Sequence, residues 1–76
     1  MKAILEFNLP EEYHEHLVAA HASDFTEIIR RMELELRGWL KQGHNFKDAD
    51  EALEKVRDKL WDEINERGVE PLLGLN

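Results

Sequence analysis

The stretch SDFTEIIRRMELELRGWLKQG, residues 23–43, decides the fold of this 76-residue chain. Its apolar residues recur every three or four positions, which is the spacing of one side of an α-helix. This apolar stripe consists of Phe25, Ile28, Ile29, Met32, Leu36, Trp39 and Leu40. The opposite side, here called the basic face, consists of Arg30, Leu34, Arg37 and Lys41. We predict a helix over residues 24–42, with its stripe in the core and its basic face in solvent.

The segment before this helix has the pattern of a strand. Residues 2–9 (KAILEFNL) alternate apolar and polar side chains, with only Ile4 out of step, and Pro10 ends the run. A lone strand leaves both of its edges unpaired, so it needs a partner. That partner is either the apolar tail at 69–76 or the same strand of a second copy. We favour the second copy, because the chain holds no second convincing strand, and we therefore expect a homo-oligomer, a dimer or higher.

Two further helices are predicted, at about 11–22 and at 49–67. Aspartate followed three residues later by glutamate is a variant of the helix-capping pattern, and glycine commonly ends a helix. The predicted starts are at Asp24 with Glu27 and at Asp48 with Glu51, and the predicted ends are at Gly43 and Gly68. The inward stripe of the last helix is Ala49, Ala52, Leu53, Val56, Leu60 and Ile64. The predicted fold is therefore one mainly α domain, three helices with one short N-terminal β-strand.

Composition limits the possible functions. The formal net charge is −7, which disfavours binding to duplex nucleic acid or to an anionic membrane. No apolar run approaches the length of a membrane span, and there is no signal-like N-terminus, so we expect a cytoplasmic protein. The chain has no cysteine and only a small core, so self-association is a reasonable source of stability.

Catalysis has little support in the sequence. His14, His16 and His21 share one predicted helix, but none of their spacings is the three or four residues that metal ligands on a helix need. There is no suggestive serine–histidine pair and no glycine loop for phosphate. We expect no enzyme activity, no metal and no cofactor.

Binding of an anion is better supported. Arginine and lysine on the basic face suit phosphate groups, although they could equally pair with glutamates of neighbouring helices. Trp61 lies off the inward stripe beside Arg57, where a partly exposed indole could stack on a base, whereas Trp39 lies on the core stripe. His44 and Phe46, in the loop after the basic helix, could form a pocket wall or simply a turn.

Three segments carry a resemblance to a known family: MKAILEFNLPEE at the start, LRGWLKQGH in the middle and ADEALEKVRDKL later. They resemble small phage proteins with an MKAxLEFxLPEE-like start, a helix containing an LRxxLKxGH-like stretch and a helix with an EEVRDKL-like stretch. This family is similar to, and in our interpretation includes, the viral sponges that sequester the cyclic nucleotide signals of the anti-phage system CBASS.

The resemblance implies binding without turnover, in a pocket shared between subunits, in the host cell cytoplasm. The positions that match are Arg37, Lys41, Gly43, His44, Arg57, Asp58 and Lys59. One departure matters: relatives often carry an aromatic residue just before the glycine, where this chain has Gln42. The loss of that stacking surface suggests that this chain prefers another signal.

Three hypotheses follow from the sequence. The first is a counter-defence sponge that binds a cyclic di- or oligonucleotide through Arg30, Arg37, Lys41, His44, Phe46, Arg57 and Trp61. The alternative is an acidic inhibitor or adaptor that acts on a basic host protein. The third is an assembly element without a ligand.

Overall fold

The computed structural model describes residues 1–74 and shows a mainly helical chain. Its three α-helices are α1 Tyr13–Ala20, α2 Ala22–Gln42 and α3 Ala49–Arg67, and a 3₁₀ turn follows at Glu70–Leu72. The helices α2 and α3 form an antiparallel hairpin, because the end of α2 faces the start of α3. Helix α1 is shorter than the predicted 11–22.

The predicted start of the middle helix was wrong. Helix α2 begins at Ala22, two residues early, and no side chain caps its N-terminus. The carboxylate of Asp24 instead contacts His21 Nδ1 at 2.9 Å and Arg67 Nη1 at 3.4 Å. The capping spacing at Asp24 and Glu27 is therefore used for ion pairs, because the chain passes from α1 to α2 through a single residue, His21, and leaves no extended residue to act as a cap.

The ends of α3 agree with the sequence. Asp48 caps the helix by accepting a hydrogen bond from the Glu51 N–H at 2.9 Å. At the other end Gly68 is left-handed (φ 68°, ψ 25°), and the Val69 N–H bonds the Ile64 carbonyl at 3.3 Å. This is the Schellman arrangement, which satisfies carbonyls that the helix itself leaves free. The glycine after α2, Gly43, has φ 96° and ψ 168°, so its positive φ is not the left-handed helical cap that was predicted.

A small core lies where the first half of α2 meets the end of α3. Its buried members are Ile28, Ile64 and Val69, and the side chains packed against them are Phe25, Met32, Leu60, Trp61, Leu72 and Leu73. The tail therefore packs on the body as far as it is described. Its last two positions, 75 and 76, lie outside the described residues.

Much of the predicted apolar stripe lies outside this core. Ile29 is 70% exposed and Leu40 is 85% exposed, and on α3 Leu53 is 67% exposed. The prediction that the stripe is wholly committed to the core was therefore wrong for the single chain. The reason is geometric, since only the side of α2 that carries Ile28 is turned toward α3 and the tail.

The N-terminal segment forms no strand in the single chain. Residues 1–8 have no regular secondary structure, and residues 1–74 as a whole contain no strand. Met1, Ile4 and Leu5 are exposed. The predicted strand at 2–9 needs a second copy to pair with, so it stays a prediction.

Candidate ligand-binding site

The arginines of the basic face are paired within their own helix. Arg30 Nε lies 3.0 Å from Glu27 Oε2, and Arg37 Nη2 lies 3.4 Å from Glu33 Oε1. Hydrogen bonds from Arg30, then Arg31, lower the pKa of Glu27 to about 2, and the same carboxylate raises the pKa of Arg30. The sequence had left open a pairing with glutamates, but on neighbouring helices. Lys41, at the end of the face, forms no ion pair with residues 1–74.

The loop that follows Lys41 holds a cluster of rings. The rings of His44 and Phe46 stack, with centroids 4.5 Å apart and an interplanar angle of 23°. Trp39 meets Phe46 edge-to-face at 5.1 Å and 85°. The Phe46 N–H also donates a hydrogen bond of 3.2 Å to His44 Nδ1, which holds the imidazole in place. The loop is thus an ordered turn, in which ring contacts and one hydrogen bond fix the positions of His44 and Phe46 relative to Trp39.

An open apolar groove of about 280 Å³ lies beside these rings, between the end of α2 and the start of α3. Its lining residues are Leu36, Trp39, Leu40, His44, Phe46, Ala52 and Val56. Except for His44 the lining is apolar or aromatic. Such a groove can bind the flat, apolar faces of a ligand, with charged groups left to its rim.

The structure divides the predicted site residues into two groups. Lys41, His44 and Phe46 lie together at the loop end of the hairpin, with Arg37 one turn earlier on α2. Exposed Arg57 follows Val56, which lines the groove. Arg30 belongs to the first half of α2, away from the loop. Trp61 is partly exposed, and its indole packs against the core cluster at the tail end of the hairpin, away from the loop.

A second charged cluster joins the two long helices, and it was missed in the sequence. Glu63 is only 2% exposed, and its Oε2 lies 3.2 Å from Lys59 Nζ. Its Oε1 lies 3.6 Å from Arg31 Nε and has no hydrogen-bond partner in residues 1–74. The spacing of Lys59 and Glu63 was a visible signal for an ion pair. Its burial was not visible, because it depends on how α2 packs against α3.

Asp24 anchors the start of α2 to the end of α3. The hydrogen bond from His21 is the main cause that lowers the pKa of Asp24, and Arg67 adds to it. Because Arg67 belongs to α3, this contact links helix ends 43 residues apart in sequence. Its role is structural, since the groove lies at the opposite end of the hairpin.

Residues 1–74 contain no group of three or more histidine, cysteine or acidic side chains placed to hold a metal ion. None of their helices is both long enough and apolar enough to cross a membrane. Comparison of the chain with protein-family models, with curated proteins and with solved structures found no match.

Proposed function

We propose that this protein is a binding protein without catalytic turnover, a phage counter-defence sponge that sequesters a cyclic di- or oligonucleotide signal of CBASS. The observation that carries the proposal is the stacked pair of His44 and Phe46 directly after Lys41. An exposed imidazole on a rigid ring support offers a surface for a nucleobase, and a cation beside it offers a contact for phosphate. The phage context comes from the resemblance.

The phosphates would meet Lys41 first and Arg37 second. Lys41 is free of ion pairs within the described residues, so it loses no partner when a phosphate binds. The Arg37–Glu33 pair is long, at 3.4 Å, and both side chains are more than half exposed. An exposed pair of this kind is worth at most about 1 kcal/mol, so a phosphate can replace Glu33 at low cost. Arg57 would act from α3.

The size of the groove favours a site completed by a second copy. Pockets for small ligands usually enclose about 300–1,000 Å³, and the open groove of one chain, about 280 Å³, is at the lower limit. It suits one base rather than a cyclic nucleotide of two or more. We therefore propose a homo-oligomer in the host cytoplasm, in which the N-terminal segments at 2–9 pair as strands between copies.

Isothermal titration with a panel of cyclic di- and trinucleotides tests this function. We expect binding by the native protein and a loss of about 5- to 150-fold for Phe46→Ala, because stacking on an aromatic residue is worth about 1–3 kcal/mol per base. Lys41→Ala should weaken binding and reduce its salt dependence, whereas Lys55→Ala, an exposed lysine on α3, is the matched control. The absence of heat with every nucleotide, for an oligomeric protein, would refute the proposal.

A second candidate function is an acidic inhibitor or adaptor of a basic host protein. The specific observation behind it is that Glu27 and Glu33 neutralise Arg30 and Arg37, so the basic face is less positive than its sequence indicates. The −7 charge of the chain then dominates its surface. This function predicts one dominant partner from host lysate, with an association rate that falls steeply as salt is added.

A further inference from the structure

We infer that a second copy of this chain packs on the exposed apolar side of the α2–α3 hairpin, forming a helix-to-helix interface in addition to any strand pairing. The inference rests on the homo-oligomer of the proposed function and names the surface that forms it. This surface, here called the hairpin face, is defined by Ile29, Leu36 and Leu40 on α2 and by Leu53, Val56 and Leu60 on α3.

The hairpin face is continuous along both helices. On α2 its residues are separated by seven and four positions, and on α3 by three and four, so each set lies on one side of its helix. Two open apolar grooves, of about 270 and 280 Å³, lie between the helices along this side. Ile29 lines the first groove and Leu40 lines the second. A leucine of the partner would fit the groove at the tail end, whereas the groove at the loop end, proposed above to bind a base, would be enclosed by the two copies.

The chain exposes more surface than a compact protein of its size, and the excess is large enough for a dimer interface. A compact protein of 9.0 kDa has an accessible surface of about 4,850 Å², whereas this chain exposes 6449 Å². The excess is about 1,600 Å², to which the uncovered N-terminal segment and the hairpin face both contribute, and it is twice the roughly 800 Å² that each partner contributes to a standard interface. The radius of gyration agrees, at 16.5 Å against about 11 Å for a compact chain of this length.

A second copy fits this face better than a partner of another kind. The hairpin face is apolar, and neither groove exposes more than a trace of polar surface, so it offers no charge for a basic protein to recognise. Charge opposes the self-association, because each copy carries −7. Salt screens that repulsion, so the dimer should strengthen as salt is added, whereas a complex with a basic protein should weaken.

Sedimentation equilibrium of the full chain tests the inference. Leu40→Asp should weaken dimerisation at least about 100-fold, since both copies lose a leucine contact worth tenfold or more. Leu53→Asp, on the other helix, should do the same. Leu34→Asp is the matched control: it changes an exposed leucine of α2 on the basic face, and it should leave the dimer unchanged.

The possible outcomes distinguish a failure of the proposed interface from a failure of the proposed ligand binding. Circular dichroism at high dilution should show native-like helix in each variant, because these leucines are at least half exposed in the single chain. A monomeric native protein would overturn the inference, and so would a dimer that survives both Leu40→Asp and Leu53→Asp or that weakens with added salt. A salt-strengthened dimer that binds no cyclic nucleotide would support the interface and refute the sponge.

Discussion

The two ends of the α2–α3 hairpin have similar apolar sequences and very different burial. At the tail end, Ile28 and Ile64 are 5% and 3% exposed, because the segment after Gly68 folds back and places Val69 over them. At the loop end Phe46 packs on Trp39, but no segment folds back over the stripe within the described residues, and Leu40 is 85% exposed. Periodicity defines which side of a helix is apolar, but burial depends on whether a further segment reaches that side.

The largest expected effect on stability is the removal of a core side chain at the tail end. Ile64→Ala is expected to lower the free energy of unfolding by about 2–5 kcal/mol, because it leaves a cavity that the small core cannot refill. Leu53→Ala, an equally large apolar residue on the same helix, should cost less than about 0.5 kcal/mol at concentrations where the chain is monomeric. Urea denaturation of both variants measures the difference, and equal losses would show that the two ends do not differ.

The next effect concerns the buried carboxylate that joins the helices at the tail end. Glu63→Gln removes the charge opposite Lys59 and Arg31, and we expect a loss of about 1–3 kcal/mol. Lys59 and Arg31 remain 29% and 42% exposed, and solvent limits the cost of leaving them unpaired. Glu66→Gln, an exposed glutamate of α3, is the control. A loss no greater than that of the control would mean that Glu63 does not bind the helices together.

The smallest effect should be a dependence of stability on pH. Glu27 has a pKa of about 2 in the folded chain against 4.5 ordinarily, so its ion pairs stabilise fully above pH 4.5 and are lost as the pH falls toward 2. In Glu27→Gln the decline in unfolding free energy across this range should be shallower than in the native chain. Chemical denaturation at several acidic pH values measures the slope, and an unchanged slope would contradict the assignment.

The helices could be predicted because their signals are local. Asp48 and Gly68 act within one turn of their own helix, so the bounds of α3 follow from sequence alone. The start of α2 could not be predicted, because a single residue separates α1 from α2 and Asp24 contacts His21 and the distant Arg67 instead of capping the helix.

The candidate site was predicted only in part, for a similar reason. The grouping of Lys41, His44 and Phe46 needs no more than their closeness in sequence. The neutralisation of Arg30 and Arg37 depends on which of several nearby glutamates each guanidinium selects, and the rotamers of long side chains decide that choice. The shape of the groove depends on how α2 packs against α3. The spacing of apolar residues along one helix does not determine that packing.

The hydrogen bond from the Phe46 N–H to His44 Nδ1 has a chemical consequence for the loop. Since Nδ1 accepts, a neutral imidazole held this way carries its hydrogen on Nε2. The free edge of the ring is therefore a hydrogen-bond donor, and it suits a purine N7 or a carbonyl oxygen better than an amino group. The hydrogen bond to Phe46 forms only while Nδ1 carries no hydrogen, so the tautomer and the shape of the turn depend on each other.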